Sequence, residues 1–309
     1  MRMLGPVVVA ASFACGTLAT AQMPKAEAAA GVLAATREAL GGEKKLAAVK
    51  TLVATGRTRQ IRGENLVPIE FEIAMELPDR YVRKDEIPAQ ESGPTTVGFN
   101  GEELIQYPEP AAPTGPGRSG PPGPTPEQLD AARKTRLSNV RQDFARLTLG
   151  LFATSFTSMP LTFSFVGKAE APQGKADVLD VKGPGNFSAR FFVNADTHLP
   201  IMISWQAPTP PQRGRPPSRG DAPTASAGQA AAPPSRGDAP PASTGQAPPG
   251  PPAPPPESRI YFADYRDVGG MQFPFRLRRA LGPDTVEETT FDGFKINSKI
   301  DPKKFEVRK

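Results

Sequence analysis

Apolar and polar residues alternate through several runs of this chain, and the alternation is clearest at residues 69–77. The intervening positions there are three glutamates and one alanine. Successive side chains of a strand point to opposite faces of a sheet, so this run predicts a strand with one buried face and one face in water. The apolar set consists of Ile69, Phe71, Ile73, Met75 and Leu77.

The last fifty residues predict three further strands in an antiparallel meander. The runs 259–265, 271–278 and 285–296 are rich in aromatic and β-branched residues, and turns rich in Gly, Pro and Asp separate them. Eight more runs have strand character or alternation, so there are twelve candidate runs, of which we expect about ten or eleven to form strands. These other runs are 51–60, 80–87, 95–100, 103–107, 161–166, 175–182, 187–194 and 199–205.

Helices are predicted at 25–40, 43–49 and 125–153. The first is rich in alanine and stops at two glycines, and the third begins with Thr125 and Pro126, a typical N-cap with proline at the first helical position. Apolar residues recur in the third helix at spacings of three and four, which predicts one apolar stripe: Leu137, Val140, Phe144, Leu147 and Leu151. Its basic residues are predicted on the outer face: Arg133, Lys134, Arg136, Arg141 and Arg146.

An apolar sheet face and an amphipathic helix have two interpretations that periodicity does not separate. If the helix packs tightly, the two form an ordinary core; if it is a movable cover, the space beneath it can accept an acyl chain, and each buried methylene contributes about 0.8 kcal/mol. The candidate ligand contacts for the second case are Phe71, Met75, Phe144, Leu147, Leu151, Phe163, Phe191, Phe273 and Phe275.

Two segments are too rich in proline to belong to a core, residues 108–126 and 207–256. They bury too little apolar area to offset the entropy of ordering them, so both are predicted to be disordered or polyproline-like loops. The strands on either side of the longer one would be plain hairpin partners without it. Loop closure cost grows only logarithmically with length, so residues 22–309 are predicted to form a single interrupted domain.

The first 21 residues have the pattern of a secretory signal: one arginine, an apolar run and a small-residue cleavage site at Ala21. Export and cleavage there would leave a mature chain without its only cysteine, Cys15, and therefore without a disulfide or a cysteine metal site. Lipidation of Cys15 is the open alternative. The formal net charge of +5 is small for 309 residues and predicts no nucleic-acid partner.

The chain has few of the residue types that catalysis uses. Its single histidine, His198, lies in a predicted exposed turn, and no nucleophile elbow, phosphate-binding glycine loop or metal-ligand spacing is present in the sequence. The carboxylates fall in predicted turns and on wet strand faces, and no spacing singles out a pair for acid–base work. We therefore expect no enzyme activity, no metal and no cofactor.

Five segments, in their order and spacing, resemble the lipoprotein-sorting proteins of the LolA/LolB-like superfamily: residues 39–52, 78–83, 98–102, 196–200 and 265–274. The resemblance implies an α+β fold, a strongly curved antiparallel sheet forming an incomplete barrel, covered by two or three helices. It also implies a periplasmic carrier or sensor, at most peripheral to a membrane, that holds lipid or lipoprotein acyl chains in an apolar cavity without a covalent step.

The proline-rich segments are not part of the usual carrier, which leaves a second hypothesis open. In it the domain is a filled, non-enzymatic scaffold of the cell envelope. The insert 207–256 would then be the working part and would bind a cell-wall or protein partner through extended segments.

Overall fold

The computed structural model describes residues 24–63, 65–91, 93–109, 124–171, 174–206 and 256–307. The predicted signal segment, Cys15 and nearly all of both proline-rich segments lie outside the described residues. Within them, one sheet contains twelve strands. These are β1 Thr51–Arg62, β2 Asn65–Glu76, β3 Arg80–Glu86, β4 Thr95–Asn100, β5 Glu103–Tyr107, β6 Thr162–Ala171, β7 Gly174–Gly183, β8 Phe187–Asn194, β9 Pro200–Gln206, β10 Glu257–Val268, β11 Met271–Leu281 and β12 Asp284–Ile296.

Strand order in the sheet follows the chain almost throughout, and every pair of neighbours is antiparallel. The order is β5-β4-β3-β2-β1-β12-β11-β10-β9-β8-β7-β6, so the first strand pairs with the last and β5 and β6 form the two edges. Strands β9 and β10 pair up to Gln206 and Glu257. This confirms that the two strands flanking the long insert are hairpin partners.

Three helices accompany the sheet: α1 Lys25–Ala39, α2 Glu43–Ala47 and α3 Pro126–Phe152. Helix α3 begins with a full capping box, in which the Thr125 hydroxyl accepts from the Gln128 amide and the Gln128 side chain accepts from the Thr125 amide. It ends at Ala153 in a left-handed conformation. Because α3 follows β5 and precedes β6, it connects the two edges of the sheet.

The contacts of α3 show that the sheet is strongly curved. The helix contacts β4 and β9, which are seven places apart in strand order. At about 4.8 Å per strand, seven places in a flat sheet would span roughly 34 Å. Phe144 contacts Phe99 on β4 and Arg146 contacts Trp205 on β9, although these two helix residues are only about 3 Å apart along the axis of a helix that is about 10–12 Å across with its side chains. The sheet must therefore wrap around α3, and it places its concave face against the helix.

Helix α1 packs against the edge strand β6. Its end is bound to the β10–β11 turn, because the Leu40 carbonyl accepts a hydrogen bond of 2.9 Å from the Gln272 amide. Gly41 has a φ of 129°, and a Cβ there would lie 2.6 Å from the Gly270 carbonyl oxygen. This close approach requires glycine.

A second, smaller core lies on the convex face under the C-terminal segment. A 3₁₀ turn, Pro302–Phe305, follows the last strand and buries Phe305 against Ala74, Val82 and Ile105. The prediction that the alternate face of 69–77 is in water is therefore wrong at Ala74, which is fully buried. The chain's own tail covers that position, and strand periodicity carries no information about such a distant segment.

The predicted fold class, α+β with a curved and incomplete antiparallel barrel, is confirmed. The sheet has twelve strands, where about ten or eleven are predicted, because even the short runs at 95–100 and 103–107 each form a separate strand. Two to three covering helices are predicted, and the described residues form three α-helices. Among the described helices, none combines the length and apolar character that a bilayer crossing requires.

Candidate ligand-binding site

Helix α3 fills the concave face at one end and leaves a cavity near its middle. Residues 144–152 are almost all buried, with Phe144 and Leu149 fully buried. Residues 126–136 are all exposed. Between these two parts, Val140 and Leu147 border a cavity of about 390 Å³. One segment of the helix is thus part of the core, and another borders open space.

One wall of this cavity is apolar and built largely of rings. Phe71 and Phe291 meet edge to face with centroids 5.4 Å apart. Tyr81 is 6% exposed, and burial raises the pKa of its hydroxyl to about 12. A ring edge and a neutral phenol together form a surface that an alkyl chain can contact without desolvating a charge. The apolar lining comprises Phe71, Ile73, Tyr81, Val97, Val140, Leu147, Ile260, Phe262, Leu277 and Phe291.

The other wall is polar and forms a connected network of residues from three strands, β1, β3 and β12. Arg83 donates to Asp85 at 2.7 Å and to the Thr58 hydroxyl at 3.3 Å. The Thr58 and Thr289 hydroxyls lie 2.9 Å apart, and Thr289 donates to Glu287 at 3.3 Å. Both threonines are buried, so their hydrogen bonds have replaced water. A satisfied network of this kind holds its members in fixed positions.

Arg83 joins the two walls. Its guanidinium lies 4.8 Å from the centroid of the Phe71 ring, which is within the range of a cation–π contact. Burial lowers the pKa of Arg83, whereas attraction to the Asp85 carboxylate raises it, and the net shift is upward. The side chain keeps 25% of its surface exposed. A permanent cation is thus held at the boundary between rings and polar groups.

The charges that line the cavity balance. Three arginines and three acids contribute to it: Arg83, Arg136, Arg279, Asp85, Asp143 and Glu287. Arg279 and Glu287 are directly opposite each other on β11 and β12. On the helix side, Asp143 pairs with Arg146 at 3.0 Å. No single sign of charge dominates this site.

The structure distributes the nine predicted ligand contacts between the cavity and the core. Phe71 and Leu147 line the cavity. Phe163 is half-buried and packs against the main core. The remaining six are buried in that core: Met75, Phe144, Leu151, Phe191, Phe273 and Phe275. Phe144 contacts Tyr81 and Phe99, so it holds the helix in place beside the cavity.

Sequence reasoning missed the polar wall. Alternation along β3 places Tyr81, Arg83 and Asp85 on one face, so a signal existed for this strand. Thr58 and Glu287 carried no such signal, because their meeting depends on the pairing of the first strand with the last. A pattern of apolar residues also predicts which apolar side chains are buried and does not predict where charged side chains lie.

The prediction of a basic outer face on α3 is wrong at Arg146, which is 7% exposed. Its guanidinium lies 4.2 Å from the Trp205 ring centroid and 5.2 Å from that of Phe187. Burial lowers the pKa of Arg146, and the Asp143 carboxylate opposes that shift. The two rings and the carboxylate compensate for lost water, which helical periodicity does not reveal.

Two larger depressions lie elsewhere on the described part of the chain. One of about 630 Å³ lies between α3 and the ends of β7 to β9, beside Arg146 and Trp205. The other, of about 690 Å³, is lined mostly by the outward-facing residues of β9 to β12, where Arg278 stacks on Tyr261 at 4.3 Å, and it shares Phe262, Leu277 and Thr289 with the 390 Å³ cavity. The first is lined almost entirely by polar and charged side chains, and the second lies mostly on the other face of the sheet.

His198 lies in the β8–β9 turn with a φ of 56°, and its amide donates to the Asn194 carbonyl. The prediction that His198 lies in a turn is confirmed. The prediction that it is exposed is wrong, because its side chain is half-buried. Over the residues that the structure describes, no group of three or more His, Cys, Asp or Glu side chains is placed to hold a metal ion.

Comparison with known proteins relates the chain to solved structures alone. No family model matches it, and no curated protein matches it. A LolA superfamily protein from Nitrosomonas europaea is similar at 12% identity over 90% of this chain and 97% of that one, with a TM-score of 0.49. A domain from Vibrio parahaemolyticus named as an outer membrane lipoprotein-sorting protein is similar at 7% identity, over 91% and 97%, with a TM-score of 0.46.

A third similar structure is a DUF1329 family protein from Desulfovibrio piger, at 7% identity over 92% of this chain and 98% of that one, with a TM-score of 0.42. The first carries the LolA superfamily name, and the second is named for lipoprotein sorting. At these TM-scores and identities the likenesses say nothing about the ligand or the activity of this chain.

Proposed function

We propose that this protein is a carrier or sensor that binds an acyl chain in the cavity beneath α3 and releases it without covalent chemistry. The observation that supports this most is the 390 Å³ space between the helix and the concave face, with its ring-lined wall. Ligand pockets have volumes of about 300–1,000 Å³. Residues 126–136 of α3 are exposed to solvent, so this end of the helix can move without breaking the core around Phe144.

Purification under mild conditions, followed by native mass spectrometry and solvent extraction, tests this proposal directly. We expect a mass excess that solvent extraction removes and that corresponds to a lipid. The stripped protein should then bind an apolar fluorescent dye that added fatty acid displaces. A ligand-free mass together with no displaceable dye would contradict the proposal.

Filling the cavity gives the matching genetic test. Leu147 is half-buried and borders the cavity, so Leu147→Trp should occupy part of its volume and lower dye affinity by about tenfold or more. Leu129 lies on the same helix and is 52% exposed, which makes Leu129→Trp the matched control. Leu147→Phe is a smaller change for the case in which the tryptophan variant unfolds. Equal dye binding by folded Leu147 and Leu129 variants would exclude this cavity as the site.

We further propose that the chain works after export, in the periplasm, peripheral to a membrane at most. The secretory pattern of residues 1–21 supports this proposal. Release of the processed protein by osmotic shock is the expected result. Retention of the full-length chain in the cytoplasmic fraction would contradict it.

The insert provides a second candidate function, an envelope interaction module. Its ends are the paired residues Gln206 and Glu257, so the insert leaves and re-enters at the tip of a formed hairpin. Replacing residues 207–256 with Asn-Gly should therefore close the hairpin with a two-residue turn and keep the fold. A carrier keeps dye and lipid binding after this change, whereas an insert-driven module keeps its fold and loses its cell-wall or protein partner.

A further inference from the structure

We infer that the natural ligand is a single-chain amphiphile with a zwitterionic head group. This inference rests on the proposed function and specifies the ligand class of the same cavity. It is carried by three properties of that cavity: its volume, the division of its lining into two walls, and the balance of its charges.

Volume limits the number of chains. A water-sized group takes about 30 Å³, so 390 Å³ holds about 13 such groups, each comparable to a methylene. One medium-length chain with part of its head group fits this space. Two or three long acyl chains exceed it severalfold and would require the Phe144 end of α3 to leave a core in which it is fully buried.

The two walls require an amphiphile. Covering Arg83, Asp85 and Glu287 with hydrocarbon would remove water from charges and give nothing in return, which is costly even for paired charges. A ligand that places its chain on Phe71 and Phe291 and its head on Arg83 satisfies both walls. The distance of 4.8 Å between the Arg83 guanidinium and the Phe71 ring brings head and chain contacts next to each other.

Charge balance selects the head group. An anionic head would be attracted by Arg83 and Arg279 but repelled by Asp85 and Glu287, and a cationic head would meet the reverse. A head with one positive and one negative charge can place each end beside a group of opposite sign. Such complementarity gives specificity through the penalty on wrong partners as well as attraction to the right one.

Amphiphiles with the same dodecyl chain and different heads test this inference, each used as monomers below its micelle concentration. Dodecylphosphocholine should displace the apolar dye from stripped, full-length protein at about tenfold lower concentration than laurate or dodecyltrimethylammonium. Dilauroylphosphatidylcholine, with the same head and two chains, should compete more weakly than the single-chain compound.

Charge changes in the polar wall should alter the preference in opposite directions. Arg83→Met removes a positive charge and should shift selectivity toward dodecyltrimethylammonium, whereas Glu287→Gln should shift it toward laurate. Arg57 lies on β1 with 69% of its side chain exposed and does not line the cavity, so Arg57→Met is the control that keeps the wild-type order. A purely structural role for Arg83 would weaken all three ligands alike.

The outcomes separate this inference from the proposed function. Equal competition by the three heads, stronger competition by the two-chain compound, or selectivity unmoved by Arg83→Met and Glu287→Gln overturns the inference and leaves an acyl-chain carrier in place. Absence of any dye binding that amphiphiles displace overturns both.

Discussion

Gly150 lies very close to the sheet, and a single methyl group there should have a measurable effect. A Cβ at this position would lie 2.0 Å from Cε1 and 2.3 Å from Cζ of the Phe262 ring on β10. Carbon atoms make their best contact at about 3.5–4.0 Å, so the ring or the helix must move by roughly 1.5 Å in Gly150→Ala. Phe262 is 4% exposed and packs in the main core, so moving its ring disturbs other core contacts.

Two opposing terms decide the sign of the change in stability. Replacing glycine by alanine in a helix interior stabilises by about 1 kcal/mol. Overpacking a core costs about 1–3 kcal/mol, and this contact is far shorter than an ordinary one. We expect Gly150→Ala to lose about 1–2 kcal/mol of unfolding free energy. Phe262 also borders the cavity, so its displacement should lower dye affinity as well.

Gly31 supplies the matched control, because it lies within α1 and a Cβ there would meet nothing within 4 Å. Gly31→Ala should therefore stabilise by up to about 1 kcal/mol through helix propensity alone. Urea unfolding followed by circular dichroism measures both variants, with the midpoint shifting at constant slope. If Gly150→Ala is as stable as Gly31→Ala, the close helix–sheet approach is not real. Restored stability in Gly150→Ala with Phe262→Leu would locate the clash.

Two further variants test stability at other positions. Asn297 accepts from the Lys50 amide at 2.7 Å and donates to the Ala48 carbonyl at 3.0 Å, at a φ of 52°. In thermal unfolding, Asn297→Gly should lose about 1–2 kcal/mol of unfolding free energy, because both hydrogen bonds are removed. Asn297→Ala should lose about 1 kcal/mol more, because alanine is strained in the left-handed conformation. Equal losses in the two variants would argue against strain. Burial raises the pKa of Tyr81 to about 12, so the unfolded chain releases this proton first and stability falls above about pH 10. Between about pH 9 and pH 11 the wild type should lose about 1 kcal/mol relative to Tyr81→Phe, and parallel pH profiles would contradict this.

Local sequence patterns predicted most of the fold. Alternation identified the strands, spacing of three and four identified α3, and Thr125 with Pro126 marked where that helix begins. These features depend on residues close in sequence, whose geometry is the same in any protein. The hairpin across the long insert followed from the same local reasoning, because a loop of any length costs little more than a short one.

The composition of the site followed from the tertiary structure. Of the nine predicted contacts, only Phe71 and Leu147 line the cavity, because apolar periodicity marks burial and does not distinguish a filled core from an open wall. The helical pattern predicted that Arg146 is exposed, but its side chain is buried beside the Trp205 ring. Trp205 lies far along the chain, so the pattern within the helix holds no information about this contact.

The amino-acid sequence by itself therefore determined the elements, their order and the presence of an apolar face opposite an amphipathic helix, all of which arise from interactions between near neighbours. Only the folded chain decided where that face stays open and which charges border it. Arg83, Thr58 and Glu287 come together because the sheet pairs its first strand with its last and curves around α3. Contacts between residues more than two hundred positions apart are a property of the whole sheet, and no local pattern encodes them.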